Sequence, residues 1–252
     1  MQCGLTLAGE TPLKLYDDLT PWYRLIDPPE DHLDEATAYT RALTGAVTGR
    51  ADTLLELGAG AGHNALFMKG QFRCTLTDIS PKMQALSREL NPDCEHLSGD
   101  MRTLRLGRQF DAGFVHDAVC YITSLEDLAQ VAVTAFDHTR PGGAALFAPD
   151  YVRERFAETS SLITADEGPR SLRGVEWIRD PDPADSRYLV DYALLLRDGH
   201  EVTAAHDRHE EGLFSIEEWT SVLERAGYLV SLIERPLDED GQTDRVFLCK
   251  RR

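Results

Sequence analysis

The sequence has no apolar run approaching the roughly 18 residues of a membrane-spanning helix. No span is expected from it. Positive charge is also scarce: 26 lysines and arginines stand against 43 aspartates and glutamates, for a formal net charge of −17 over 252 residues. Such a chain repels phosphate backbones and anionic lipid surfaces at long range, so neither nucleic acid nor membrane is an expected partner. Solubility alone accounts for the charge, and attraction of a cationic substrate or cofactor is the sharper alternative. Cysteine is sparse and odd in number: Cys3, Cys74, Cys94, Cys120 and Cys249, with no C-x-x-C pair. That excludes a disulfide framework and a zinc site, and no metal is expected. The thiols read as reduced groups of a cytoplasmic protein. Cys74, Cys120 and Cys249 lie in or beside apolar runs and read as packing residues. The N-terminus lacks a basic start followed by an apolar block, so no secretory leader is expected. Repeats and low-complexity tracts are missing as well.

What is there suits one large domain, or one domain with an insertion. At 42% hydrophobic residues the chain can bury a full core. Residues 13–26 are rich in aromatics and 33–47 read as a helix. Alternation then begins. Short apolar strands at Thr53–Leu57, Arg73–Asp78, Cys94–Leu97, Phe110–His116 and Ala144–Ala148 are interleaved with helices at 61–69, 80–90 and 124–138. Ser80 and Ser124 stand as N-caps, with Pro81 at a first helical position. Pro141-Gly142-Gly143 reads as the turn into the fifth strand. Alternating strands and helices imply parallel crossovers and a sheet covered on both faces. The tail departs from this. Helix 215–226 precedes two strands, Tyr228–Arg235 and Arg245–Lys250, joined by the acidic turn Asp238–Gly241 and therefore antiparallel.

The expected fold is α/β: a Rossmann-like, seven-stranded, mostly parallel sheet with an antiparallel last strand and an inserted antiparallel β cap. Residues 51–150 and 215–252 form the core, 1–50 supply a lid and helices, and 151–214 form the cap. Within the cap, Asp198-Gly199 between two alternating runs predicts a hairpin over 188–211. Its register pairs Arg197 with His200, Asp191 with His206 and Tyr188 with His209, and puts Asp191, His206 and Arg208 on one face. That face is either an exposed charged surface of a cap or dimer contact, or a polar cluster facing a substrate.

The most informative segment is Glu56-Leu57-Gly58-Ala59-Gly60-Ala61-Gly62-His63, between a strand and a helix. The glycines let backbone turn tightly and approach a ligand. A dinucleotide fingerprint would need glycine at 63, where histidine stands. The pattern Glu56-x-Gly58-x-Gly60-x-Gly62 instead resembles motif I of the class I S-adenosylmethionine-dependent methyltransferases. Asp78 at the second strand end, Gly99-Asp100-Met101 after the third and Pro141-Gly142-Gly143 before the fifth follow in that family's order. The resemblance covers roughly 50–150 and 215–252. It implies S-adenosylmethionine as cofactor, with Asp78 and neighbouring Ile79 at the ribose, Asp100 and Met101 at the adenine, and Glu56 near the methionine ammonium. A carboxylate such as Asp78 can accept hydrogen bonds from two adjacent hydroxyls. His63 is either a cofactor contact or simply the start of a helix.

A closer resemblance, to aminosugar N,N-dimethyltransferases of antibiotic biosynthesis, is carried by Tyr16, Tyr23, the stretch His116-Asp117-Ala118-Val119-Cys120-Tyr121 and the stretch His209–Phe214. Those enzymes also carry an antiparallel cap, but act on nucleotide-diphosphate sugars, and no diphosphate site is evident in this acidic sequence. Methyl transfer is an in-line displacement, so catalysis is expected to be mostly positional, with a base needed only where the nucleophile arrives protonated. His116 and Asp117 are the candidates to orient or deprotonate it, or else they position the cofactor or cap the next helix. Tyr121 lines the site or packs. Asp150 and Tyr151 stand at the pocket edge, and Tyr16, Tyr23, Asp191, His206 and Arg208 complete the candidate substrate set. The expected activity is methyl transfer to a polar small molecule, at nitrogen. The alternatives are a non-methylating use of the cofactor, such as cyclisation of its aminobutyrate arm, and a non-catalytic cofactor-binding module. A homodimer is the expected assembly.

Overall fold

A computed structural model of the chain describes residues 13–236 and 243–252. Cys3 and the acidic turn Asp238–Gly241 lie outside the described residues. The chain starts with short 3-10 turns at Lys14–Tyr16 and Thr20–Trp22, then α1 (Tyr23–Ile26), a further turn at Pro29–His32 and α2 (Leu33–Ala46). The alternating core follows: β1 (Thr53–Leu57), α3 (His63–Met68), β2 (Arg73–Asp78), α4 (Pro81–Leu90), β3 (Glu95–Ser98), β4 (Phe110–His116), a 3-10 turn at Ala118–Tyr121, α5 (Leu125–His138) and β5 (Thr139–Ala148). Next come β6 (Thr159–Glu167), β7 (Arg170–Arg179), β8 (Arg187–Asp198) and β9 (Glu201–Gly212), and the chain closes with α6 (Ile216–Ala226), β10 (Tyr228–Pro236) and β11 (Thr243–Arg251). Among the described residues no helix is long and apolar enough to cross a membrane.

The core sheet has seven strands in the order β10-β11-β5-β4-β1-β2-β3. Strands β1 to β5 pair in parallel, and β11 runs antiparallel to both its neighbours. Alternation along β1 sends Leu55 and Leu57 to one face and Leu54 to the other. The first pair packs with Val115, Phe147 and Trp219 beneath α5 and α6. Leu54 packs with Leu76, Phe114 and Tyr39 beneath α2 and α3. The serine caps form as expected, Ser80 Oγ accepting from Met83 N and Ser124 Oγ from Asp127 N. Ser215 adds a reciprocal capping box with Glu218. Cys74, Cys120 and Cys249 are buried, and the described cysteines are free thiols.

Two local expectations need correction. Strand β5 begins at Thr139, before Pro141-Gly142-Gly143. Phe110 pairs with Thr139 and Ala112 already with Ala144, so those residues form a bulge inside the strand, with Gly142 at φ +77°. The expected antiparallel cap is a four-stranded sheet, β6-β7-β8-β9, with a hairpin before the one read from Asp198-Gly199. That first hairpin turns on Gly168-Pro169, with Gly168 at φ +57° ahead of Pro169. The second hairpin turns on Gly199-His200, so Asp198 faces Glu201, Asp191 faces Arg208 and Tyr188 faces Glu211. Only Gly199 takes a positive φ, at +60°, which a glycine tolerates and Asp198 is spared. Each partner thus moves by two residues. Because side chains alternate with a period of two, Asp191, His206 and Arg208 still share a face.

The cap meets the core where β9 ends. A Cβ added at Gly212 would stand 2.0 Å from the Ile122 carbonyl oxygen and 2.9 Å from the Phe214 ring. Replacing Gly212 with alanine is expected to destabilise the fold by about 1–3 kcal/mol through overpacking against backbone. Calorimetry checks this as a fall in Tm of several degrees, at roughly 2–4 °C per kcal/mol for a chain this long.

Candidate active site

The strand order reverses between β1 and β4, and the crevice outside the carboxyl ends of these strands is where open α/β sheets bind ligands. The two turns there nearly touch. A Cβ on Gly58 would lie 2.3 Å from Ala118 Cβ and 3.3 Å from Met101 Cε. Gly58, Gly60 and Gly62 all have positive φ, at +74°, +53° and +76°. The loop is held by backbone: Gly58 N and Ala59 N donate to Thr77 O. It is also held by Asp78, whose Oδ2 accepts from Gly60 N at 2.8 Å while Oδ1 accepts from Ser80 N at 2.7 Å. Burial raises the Asp78 carboxyl, and those amides pull it partly back.

Several features of this crevice fit a nucleoside carrying an amino-acid arm. Glu56 is buried under the loop and its Oε2 has no partner. Burial pushes its carboxyl up to about 8, the charge of His116 pulling the other way. An incoming ammonium would supply the missing partner. Ile79, beside Asp78, leaves 54% of its surface exposed, an apolar side chain available to a flat ring. Asp100 is less free than expected. Arg102 donates to both its carboxylate oxygens, at 2.7 to 3.1 Å, and also reaches Asp127. Burial works against the charge, but Arg102 keeps Asp100 below its ordinary value. The carboxylate keeps further lone pairs, so the pairing constrains it without disqualifying it.

Beyond β4 the chain takes an unusual step. Asp117 has φ +36°, the one positive φ among described non-glycine residues. Strain of this kind persists only where the surroundings enforce it. The turn aims Asp117 Oδ1 back at His116 Nδ1, 2.9 Å away. His116 Nε2 lies 3.3 Å from Glu35 Oε2, and the ring stacks on Phe114. Burial alone would lower the His116 pKa, but Asp117 and Glu35 together hold it well above its ordinary value. That raised value favours the positioning alternative for His116 over the base. Asp150 is half-buried beside Asp117 and Glu211; desolvation first and then those charges drive its carboxyl well above its ordinary value.

A chain of hydrogen-bonding groups stands beyond it. Tyr16 Oη and Tyr121 Oη are 2.6 Å apart, and Tyr121 Oη lies 2.7 Å from His209 Nδ1. His209 Nε2 is 3.0 Å from Asp207 Oδ2, which also accepts from Leu15 N. With Nε2–H donating to Asp207, Nδ1 is the acceptor, and the chain runs Tyr16, Tyr121, His209, Asp207. Burial raises both phenols, so they remain protonated. His209 is fully buried. His209 belongs to the stretch that carried the family resemblance and Asp207 precedes it by two on the same face of β9, whereas the bonds to Tyr121 and Tyr16 arise only from tertiary contact. The contact of His116 with Glu35 is tertiary as well; Glu35, in the first turn of α2, also bonds His32 Nδ1 and Asn64 Nδ2.

The remaining candidates divide. Tyr23 packs between Tyr16 and His63, and Tyr151 packs on Tyr188 and Phe156. His63 starts α3 and lies 3.1 Å from Asp27 Oδ2. Asp191, His206 and Arg208 do meet: Asp191 Oδ1 accepts from Arg208 Nε at 2.7 Å and lies 3.1 Å from His206 Nε2. They lie on the outer face of the cap, however, because Tyr188, Val190, Leu194 and Leu196 have the opposite parity and are buried. Alternation showed which residues share a face, and the apolar set decided which face turns inward.

A glycine loop under the carboxyl edge of a parallel sheet, with a buried acid beneath it and an antiparallel last strand, defines the class I methyltransferase architecture. Residues 54–143 match the family described as "Methyltransferase domain". The chain carries this methyltransferase domain, and its fold is that of S-adenosylmethionine-dependent methyltransferases. It is similar to the dTDP-3-amino-3,4,6-trideoxy-alpha-D-glucopyranose N,N-dimethyltransferase of Streptomyces venezuelae, at 27% identity over 74% of this chain and 79% of that one. The solved structure of Streptomyces venezuelae DesVI shares its fold with a TM-score of 0.81 at 23% identity, covering 93% and 98% of the two chains. The sugar N-methyltransferase KedS8 of a Streptoalloteichus species does so with a TM-score of 0.82 at 21% identity, covering 100% and 99%.

Glu56 yields a test with a defined sign. Its folded-state pKa of about 8 exceeds its ordinary value of 4.5, so between those values the folded state holds a proton that the unfolded chain has released. Stability of the cofactor-free protein should therefore fall as pH rises across that window. Glu56→Gln should flatten that fall in urea titrations from about pH 5 to about pH 8. Affinity for S-adenosylmethionine, measured by calorimetry, should rise toward pH 8 in the wild type and lose that rise in the variant.

Proposed function

We propose that the protein transfers a methyl group from S-adenosylmethionine to the nitrogen of a polar small-molecule amine, of the amino-sugar type named for its relatives. The observation that carries this reading is the relay from Tyr16 through Tyr121 and His209 to Asp207, which ends beside the 3-10 turn that follows β4. On this reading Gly58, Gly60 and Gly62 cradle the cofactor, with Asp78 at the ribose hydroxyls, Ile79, Asp100 and Met101 around the base and Glu56 at the ammonium. When bound, the cofactor supplies an electrophilic methyl on a sulfonium, so that a nitrogen–carbon bond forms as the sulfur–carbon bond breaks and sulfur keeps its electron pair.

The protein's task is to orient the amine, keep water out and take its proton. An amine arriving as its ammonium donates to the Tyr16 or Tyr121 oxygen. The phenol passes its own proton along the chain to His209 Nδ1, where Asp207 stabilises the resulting imidazolium. The His116 imidazolium, held by Asp117 and Glu35, positions the end of β4 and balances the local carboxylates. Asp150 and Tyr151 border the acceptor space. Residues 13–26 serve as the lid. Leu19 packs on Leu172, Leu194 and Leu196 of the cap, while Tyr16 O accepts from Ser80 Oγ of the core. The segment thus bridges the two units over the crevice, where a lid would exclude water. The 151–214 cap completes that enclosure.

Product analysis with methyl-labelled cofactor and amine acceptors tests the activity: a methylated amine is expected, whereas release of methylthioadenosine without it would sink the reading. Tyr121→Phe and His209→Gln should each lower kcat roughly tenfold to a hundredfold near neutral pH while leaving cofactor affinity close to wild type. The deficit should shrink as pH rises toward the amine's own pKa, because an acceptor that arrives neutral needs less help. A merely structural role would leave the pH profile unchanged.

The homodimer is proposed to form through the outer face of the cap, where Leu162, Val175, Trp177 and Leu195 are exposed around the Asp191–Arg208 ion pair. Sedimentation should show a dimer that Trp177→Glu converts to a monomer with the fold intact. A wild-type monomer would refute it.

A further inference from the structure

We propose that Cys74 and Cys94 are a redox-active pair: they exchange with a low-molecular-weight disulfide and close a reversible bond between β2 and the turn before β3, at the amino ends of the strands and away from the cofactor crevice.

The register brings the two residues together. Thr75 pairs with Glu95 in the parallel ladder, so Cys74 and Cys94 stand side by side one residue earlier. Neighbouring strands lie about 4.8 Å apart, and a disulfide spans Cα atoms roughly 4.4–6.8 Å apart. Cys94 keeps some freedom of approach, because its N–H bonds Asn91 O within its own turn. Both residues line one cavity of about 420 Å³, walled by Phe72, Thr75 and Phe110, and Cys94 packs on the apolar cluster that contains Cys74.

Their surroundings assign the roles. Cys94 is half-buried and Cys74 is buried. The two side chains hydrogen-bond. That contact lowers the Cys94 pKa, against burial and the Asp93 charge and with help from Lys69; the same contact, and then burial, raises Cys74. The more accessible thiol is thus also the readier thiolate, and its neighbour is the resolving thiol. Cys120 and Cys249 are buried too, but burial comes first in raising each of them and neither has a second thiol beside it.

The Cys94 thiolate attacks one sulfur of the small disulfide, whose sulfur–sulfur bond breaks to release one thiolate. Cys74 passes its proton to that thiolate and attacks Cys94 Sγ, expelling the second. Two protein thiols become one disulfide and the small disulfide becomes two thiols. The loop so closed holds Asp78 and α4. Side-by-side strand positions keep Cβ atoms near the strand spacing, longer than the roughly 3.5–4.5 Å a relaxed disulfide prefers, so the bond is readily reduced.

The experiment incubates reduced, folded protein with oxidised glutathione, blocks the remaining thiols and maps tryptic peptides by mass. The expected product links residues 74–82 to residues 89–102, and dithiothreitol returns both peptides free. Cys74→Ala should stop at a stable glutathione adduct on Cys94. Cys94→Ser should slow modification of Cys74 by about tenfold or more, since the buried thiol loses its relay. Wild-type protein that holds glutathione on Cys94 without forming the link overturns the proposal. So does a link that forms only in urea, or Cys74 reacting at an unchanged rate in Cys94→Ser.

Discussion

The close approach of two turns governs the working end of this molecule. Gly58 leaves β1 and Ala118 follows β4, and the gap between them admits no Cβ on the glycine. From that contact follow the backbone path of the glycine loop, the position of Asp78 beneath its amides and the sharp φ of Asp117. Because the same turn carries residues 118–121, it also sets where Tyr121 stands relative to the crevice. Interiors packed to this density transmit such constraints with little slack.

Electrostatics build on that geometry. Carboxyl groups from α2, the β4 turn, the end of β5 and β9 converge on one space, and burial sets their protonation. The Asp150 and Glu56 carboxyls are pushed up, while Asp117 and Glu35 hold the His116 ring above its ordinary value. The division of labour between the two histidines follows from their partners. His116 lies between two carboxylates, which hold its pKa up. His209 has one carboxylate behind it and a phenol in front.

The N-terminal segment joins the two sheets. Its leucines and Trp22 pack on the inner face of the cap, its backbone bonds Asp207 and Ser80, and Tyr16 reaches Tyr121. Cofactor crevice and cap are therefore coupled through residues 13–26, although these are distant in sequence from everything they touch. The hydrogen-bond chain to His209 and the contact with the cap thus share one structural element.

The sequence by itself determined the parallel core. Apolar alternation, serine caps and the glycine spacing are local signals, each readable within a dozen residues, and they placed Glu56, Gly58, Gly60, Gly62 and Asp78 where the fold has them. Local alternation also grouped Asp191, His206 and Arg208 despite a shifted hairpin, since a two-residue slip preserves parity. Only the tertiary structure decided which face of the cap turns inward, because that depends on where the apolar set of four strands finds a partner. Protonation was likewise invisible in sequence. The partner that raises His116, Glu35, stands 81 residues earlier in the chain. Asp207 and His209 are neighbours on one strand face, but no local pattern encodes the hydrogen bonds that join them to positions 16 and 121, because those segments meet only in the folded chain.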